Sequence, residues 1–249
     1  MAEDLFGESP VISKTQTPTT ERIYSEEITP FLNKVFNDDC FKIIEKLPDA
    51  SLDLVIVDPP YGDAVGYGRK GKEILNNEDE SINYKFLDAI KPKMKPNTSL
   101  YLFSNHKFCH LIREYAVKNG YAYRMTCVLV KNNIGMGFGF RNQYELCLVL
   151  ENGEAEYNNN DMSNVWKMKH VRHNDDSHPH QKDYDIIRRI ILHSSKEGDI
   201  IFDGFMGSFT TAVACVKENR KFIGTELDPK WHEMGEETLK NLLSQKTMF

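Results

Sequence analysis

The chain has 249 residues, with 31 Lys plus Arg against 37 Asp plus Glu and a net charge of −6. At 40% hydrophobic and 27% charged it has the composition of a folded globular protein, which excludes collagenous and wholly disordered chains. No apolar run approaches the ~18 residues of a membrane span, no basic-then-apolar leader is seen, and the five cysteines (Cys40, Cys109, Cys127, Cys147, Cys215) are odd in number and lack a C-x-x-C, so a reduced, cytoplasmic protein is expected.

In chain order, residues 1–29 are rich in Thr, Ser, Glu and Pro and read as a mobile tail ahead of one folded domain over 30–249. Residues 34–37 form a short strand, and Phe41, Ile43, Ile44 and Leu47 mark one face of a helix. The continuous β-branched run 53–57 is expected as a strand buried on both faces, and 99–103 repeats its character. A helix over about 107–118 stops at Asn119-Gly120, a C-terminal cap signal. Strands follow at 123–130 and 145–150, separated by a Gly-rich loop over 132–142. Beyond a polar, Asn-rich stretch at 152–165 come a helix over 183–194, a strand at 199–202 and a helix over 208–219. A strand at 221–225 and a helix from Pro229 to Leu243 complete the pattern. Strands alternating with helices predict an α/β fold on a mostly parallel sheet, helices on both faces. Such sheets bind ligands at the carboxyl ends of their strands.

Two strand ends carry chemistry. Asp58-Pro59-Pro60-Tyr61 follows the run 53–57 directly. Two prolines fix φ twice and remove two N–H donors. What remains is a rigid turn of carbonyls, one carboxylate and one ring, a surface suited to a planar group bearing an amine. The second end is Asp203-Gly204-Phe205-Met206-Gly207-Ser208-Phe209-Thr210-Thr211, joining a strand to a helix. Its glycines permit close ligand approach. The next strand ends at Glu226, 23 residues beyond Asp203, where the dinucleotide folds place a ribose-binding carboxylate. The run Gly135-Met136-Gly137-Phe138-Gly139 opens no helix and is discounted as a nucleotide loop.

Together these segments resemble the β group of S-adenosylmethionine-dependent DNA amino-methyltransferases, the N6-adenine and N4-cytosine family of D-P-P-Y type. Asp58 to Tyr61 is similar to the D-P-P-Y motif, Asp203 to Thr211 to the cofactor loop D-P-F-x-G-S-G-T-T, and Gly224-Thr225-Glu226 to the following G-x-E. His178-Pro179-His180-Gln181-Lys182 resembles the H-P-x-Q-K-P element, and Asp39, 19 residues before Asp58, stands where the family often has an acid near the cofactor adenine. The resemblance covers about residues 33–243 and departs at Gly204 (family Pro), Phe209 (family Gly) and Asp183 (family Pro). Phe209 is the bulkiest departure: it crowds the cofactor loop unless its ring turns to the core.

The resemblance implies a Rossmann-like methyltransferase fold with a seven-stranded, mostly parallel sheet in circularly permuted motif order. It implies Asp58, Pro59, Pro60 and Tyr61 as catalytic residues, and Asp39, Lys182, Asp203, Gly204, Phe205, Gly207, Ser208, Thr210 and Glu226 as binders of S-adenosylmethionine. The implied reaction is methyl transfer to the N6 amine of a flipped adenine in DNA. Asp58, where cytosine enzymes more often carry Ser, favours adenine over N4-cytosine; the rival from another class is an inactive nucleic-acid-binding subunit. DNA is the implied partner, with a homodimer and a cognate restriction endonuclease as further associates.

Charge is uneven along the chain. Residues 1–53 carry a net −6, whereas 91–131 carry 8 basic and 1 acidic side chains. The stretch Lys91–Lys131 and the loop 62–72, with Tyr67, Arg69 and Lys70, are candidates for phosphate contact. A short recognition insert is expected around 152–176. The cluster of His170, His173, His178 and His180 reads as a polar segment, with no metal assigned.

Overall fold

The computed structural model describes residues 22–60, 81–135, 139–168 and 182–246. Among the described residues, eight strands form one sheet in the order β1-β8-β7-β2-β3-β5-β4-β6. They are β1 (Lys34–Phe36), β2 (Leu52–Val57), β3 (Met94–Ser104), β4 (Ala122–Val130), β5 (Tyr144–Asn152), β6 (Val165–Lys167), β7 (Ile200–Asp203) and β8 (Lys221–Thr225). Only β5 runs against its neighbours; every other adjacent pair is parallel. The α/β architecture expected from the sequence is the one observed. The sheet has one strand beyond the expected seven: β6 adds to β4 at the edge and drives Trp166 into the core.

Helices cover both faces, so the central strands are buried on both sides. Leu52, Val55 and Val57 of β2 pack with helices α1 (Cys40–Lys46), α2 (Ser81–Ile90) and α3 (Cys109–Lys118). Leu54 and Ile56 face the other way, toward α4 (Tyr184–Ser194), α5 (Thr210–Lys217) and α6 (Pro229–Lys246). That two-sided burial is why β2 is continuously apolar rather than alternating. Helix α2 buries Asn83, Phe86, Leu87 and Ile90, the spacing of a single helical stripe. No helix among the described residues is long and apolar enough to cross a membrane.

The assignment of residues 1–29 to a mobile tail is corrected for 22–29. Arg22 pairs with Asp53 and Asp199, the Tyr24 hydroxyl donates to the Gly198 carbonyl at 2.7 Å, and Ile28 is buried in the core. Three anchors in seven residues offset the chain entropy that the polar composition leaves uncompensated. Residues 1–21 lie outside the described set. Of the expected recognition insert, 152–168 is described, and it is stitched to the fold. Asn158 Nδ2 donates to the carbonyls of Leu192 and Ser195, and the Tyr157 hydroxyl donates to Glu151.

Candidate active site

The strand order sets the site. β1, β8, β7 and β2 are consecutive and parallel, so their carboxyl ends lie side by side. Four acids follow those ends: Asp39 after β1, Glu226 after β8, Asp203 closing β7 and Asp58 after β2. Residues up to 187 positions apart in the chain are thereby brought to one edge of the sheet.

Asp203 is buried. Its Oδ2 accepts from the Thr211 hydroxyl at 2.7 Å and its Oδ1 from the Phe205 N–H at 3.0 Å. Burial pushes its carboxyl up to about 7; those two hydrogen bonds oppose the rise, and repulsion from Asp58 and Glu226 adds to it. Glu226 is also raised, chiefly by burial, although its Oε2 accepts from Gly207 N–H at 2.7 Å and its Oε1 from Asp228 N–H at 2.9 Å. Asp39 caps α1, accepting from Phe41 N–H at 2.9 Å. The Asn37 amide donates to the Glu226 carbonyl at 2.8 Å and so ties the β1 end to the β8 end.

The loop after β7 is held from beneath. Thr225 Oγ1 donates to the Gly204 carbonyl at 2.6 Å, and Met206 N–H donates to the Thr225 carbonyl at 2.9 Å. Phe205 packs on Phe86, ring centroids 5.6 Å apart. Gly207 takes φ +53, and the Ser208 and Thr210 hydroxyls bond one another at 2.9 Å. Pro59 is buried and Pro60 half-buried at the end of β2. Tyr61, His178 to Gln181, the loop 62–72, and the histidines at 170 and 173 lie outside the described residues.

Lys182 stands at Asp58. Its Nζ lies 3.1 Å from Asp58 Oδ2 and 2.7 Å from Glu145 Oε2, and 4.9 Å above the ring of Phe103. Glu145 also pairs with Lys131 at 2.8 Å. Neither Glu145 nor Lys131 was singled out as a site residue from the sequence. The available signal is parity: Glu145 is in phase with the core residues Cys147 and Val149 of its own strand. The five cysteines are all buried, and burial pushes the Cys40 and Cys127 thiols up to about 12, so thiolate chemistry is not provided here.

The basic stretch 91–131 is divided between the two ends of the sheet: Lys131 follows β4 at this edge. Lys91, Lys93 and Lys95 precede or open β3, at the opposite end of the sheet. There they bond the Asn119 carbonyl, Asp49 and Asp53 respectively. A charge count along the chain does not register which end of a strand each lysine occupies. Of the candidates for phosphate contact in this stretch, Lys91, Lys93 and Lys95 lie at the end away from the acids.

Comparison with known proteins bears on this constellation. A profile of DNA methylases matches residues 52–237, three quarters of the chain, including both loops and the strands that present them. The chain belongs to the N6/N4 DNA methylase family. The DNA adenine methyltransferase YhdJ of Escherichia coli is 27% identical over 238 residues, spanning 81% of this chain and 80% of the relative. The fold is shared with the M1.HpyAVI–SAM complex: TM-score 0.63, 24% identity, over 82% of this chain and 98% of that one. It is shared too with the cytosine-N4-specific PvuII DNA methyltransferase: TM-score 0.66, 15% identity, over 81% of this chain and 84% of that one.

Each departure of this DNA methylase from its family's motifs has a local cause. Asp183 caps α4, its Oδ1 accepting from Asp185 N–H at 2.9 Å. A Cβ at Gly204 would lie 3.0 Å from Phe86 and 3.2 Å from Cys40, so the position is closed by packing from α1 and α2. Phe209 holds the left-handed conformation that suits glycine, at φ +60, which costs about 1–2 kcal/mol for a side-chain-bearing residue. Its ring is fully buried, edge-on to His232 and over Gly235 of α6, where a Cβ would overlap it. The ring therefore points into the core and leaves the loop clear.

Proposed function

We propose that this chain transfers the methyl group of S-adenosylmethionine to the exocyclic N6 amine of adenine in DNA. The observation that carries the reading is the row of acids at the ends of β1, β8, β7 and β2, ending at a Pro-Pro turn. The donor set suits this cofactor. Asp203, pushed up to about 7 chiefly by burial and further by the neighbouring Asp58 and Glu226, favours a ligand carrying positive charge. In order along the edge, Asp39 takes the cofactor adenine, Glu226 the ribose hydroxyls and Asp203 the ammonium group, with Gly204, Phe205, Gly207, Ser208 and Thr210 forming the wall beneath. Lys182 is reassigned from the cofactor to Asp58.

Bound there, the cofactor supplies a methyl already activated on a sulfonium, so no covalent enzyme intermediate is needed. The residues of the chain improve a poor nucleophile. An exocyclic amine delocalises its lone pair into the ring. Asp58 and the Pro59 carbonyl accept its two N–H bonds, which favours sp³ character and directs the lone pair at the methyl carbon. Orientation and stabilisation of the developing positive charge supply most of the acceleration. Tyr61 stacks on the flipped base. As the N–C bond forms the methyl–sulfur bond breaks, its electron pair staying on sulfur as a neutral thioether, and the amine is left with one surplus proton, released to Asp58 or to solvent.

Nucleoside mass spectrometry tests the reading on DNA incubated with protein and cofactor, with Asp58→Ala as control. N6-methyladenine, absent from the control, is the expected product. N4-methylcytosine would keep the mechanism and overturn the base; no methylated nucleoside from folded protein would overturn the reading.

A further inference from the structure

We propose that Glu145 is a positioning residue for methyl transfer: it anchors the ammonium of Lys182 and, through it, the carboxylate of Asp58. The inference deepens the reading above and rests on Asp58 accepting the target amine.

The sheet register assembles the group. Val57 pairs with Leu102, so Asp58 comes level with Phe103 on β3. Phe103 pairs with Cys147 of β5, and Leu129 of β4 pairs with Glu145. Strand parity then puts Asp58, Phe103, Glu145 and Lys131 on the face shared by Leu54, Ile56, Leu129 and Cys147, at one end of four adjacent strands. Lys182, arriving just ahead of α4, lies over Phe103 and reaches a carboxylate on either side. Its side chain is 13% exposed, that of Glu145 18% and that of Asp58 20%.

The charges alternate along this row: Lys131, Glu145, Lys182, Asp58. Burial alone would raise Glu145, yet the two lysines hold it down at about 2. It is therefore a fixed negative charge, and its contact with Lys182, at 2.7 Å, is shorter than the 3.1 Å between that ammonium and Asp58. A lysine has a flexible four-carbon stem and positions a partner poorly unless it is itself held. Glu145 supplies the hold. It also offsets a cation that would otherwise oppose the positive charge gathering on the amine in the transition state. Asp58 thus meets the amine in one orientation, beside a lysine whose charge is balanced.

The test uses the full chain with cofactor and unmethylated DNA. Glu145→Gln keeps the size and removes the charge. Its expected result is a fall in kcat of about 10- to 100-fold, with the KM for cofactor and the melting temperature little changed. Nitrogen-resolved spectra of the lysine side chains supply a readout independent of turnover. The slowly exchanging ammonium signal of Lys182 should be present in the parent protein and lost in Glu145→Gln. Should that variant fail to fold, Lys131→Gln decides, because Lys131 is more exposed. Its kcat should fall by about 3-fold or more as Glu145 loses one of its two holds. A folded Glu145→Gln protein with unchanged kcat, or one that keeps the Lys182 signal, overturns the inference, as does a rise in cofactor KM at unchanged kcat. If the parent protein methylates no DNA, it is the reading of the site that fails, and the anchoring is judged on the Lys182 signal alone.

Discussion

Strands β2 and β7 lie side by side, and each carries an aspartate at or beside both of its ends. At the amino ends, Asp53 accepts from Arg22 at 2.9 Å, Lys95 at 2.7 Å and Ile200 N–H at 2.9 Å. Asp199 pairs with the same Arg22 and accepts from Lys196 N–H at 2.7 Å. At the carboxyl ends, Asp203 is met by a hydroxyl and a backbone N–H and faces Asp58 and Glu226. Asp58 shares its lysine with Glu145. The amino end is an electrostatic clamp that closes the fold over residue 22. At the carboxyl end Asp58 is answered by Lys182, whereas Asp203 is met by two neutral donors. The same residue type on the same two strands closes the fold at one end and forms the candidate site at the other.

The largest expected effect falls on the carboxyl end. Asp58→Asn should lose at least about 100-fold in turnover while calorimetry reads an almost unchanged cofactor affinity. Full turnover in that variant would remove the functional half of the contrast.

Asp203 makes the contrast depend on pH. Its ordinary value is 3.8 and its value in the fold about 7, so the native state holds a proton that the unfolded chain has released between those limits. Stability without cofactor should therefore decline as pH rises from about 4 to about 7, by an amount on the order of a few kcal/mol. Denaturant midpoints followed across that range should fall in the parent and flatten in Asp203→Asn. Cofactor binding near neutral pH should release a proton, visible as a calorimetric heat that varies with the buffer.

The back wall of the loop after β7 is tested at Gly235. Gly235→Ala overpacks the Phe209 ring, and a loss of about 1–3 kcal/mol is expected. In a Phe209→Gly background the same Gly235→Ala change should cost less, because the ring it would strike is gone. A Gly235→Ala protein of unchanged melting temperature would show that Phe209 moves freely.

The smallest effect falls on the amino end. Arg22→Ala should cost about 1–2 kcal/mol and leave the kcat of folded protein unchanged. A drop in kcat at equal foldedness would mean that the two ends are coupled.

Much of the site is legible without coordinates. Residues 54–57 and 200–202 announce buried strands by unbroken apolar runs, because a strand covered on both faces has no polar phase. Asp58 and Asp203 are then located by position alone, as the polar residues where those runs stop. Helix α2 escapes notice: it is ten residues long and places Asn83 on its own buried stripe. β6 escapes too, since three residues carry no period and its pairing with β4 joins segments far apart in the chain.

What the sequence by itself determined is local: which segments are strands, where each ends, and which residue types stand at those ends. The tertiary structure alone decided adjacency. It set Asp39, Glu226, Asp203 and Asp58 in one row, sent Lys91, Lys93 and Lys95 to the far end, and turned Phe209 to the core. It also stood Lys182 between Asp58 and Glu145, 124 residues from the one and 37 from the other. The physical reason is range. Backbone preference and burial period act over a few residues. Ion pairing and side-chain packing depend on distance in space, which is defined once strand order and register are in place.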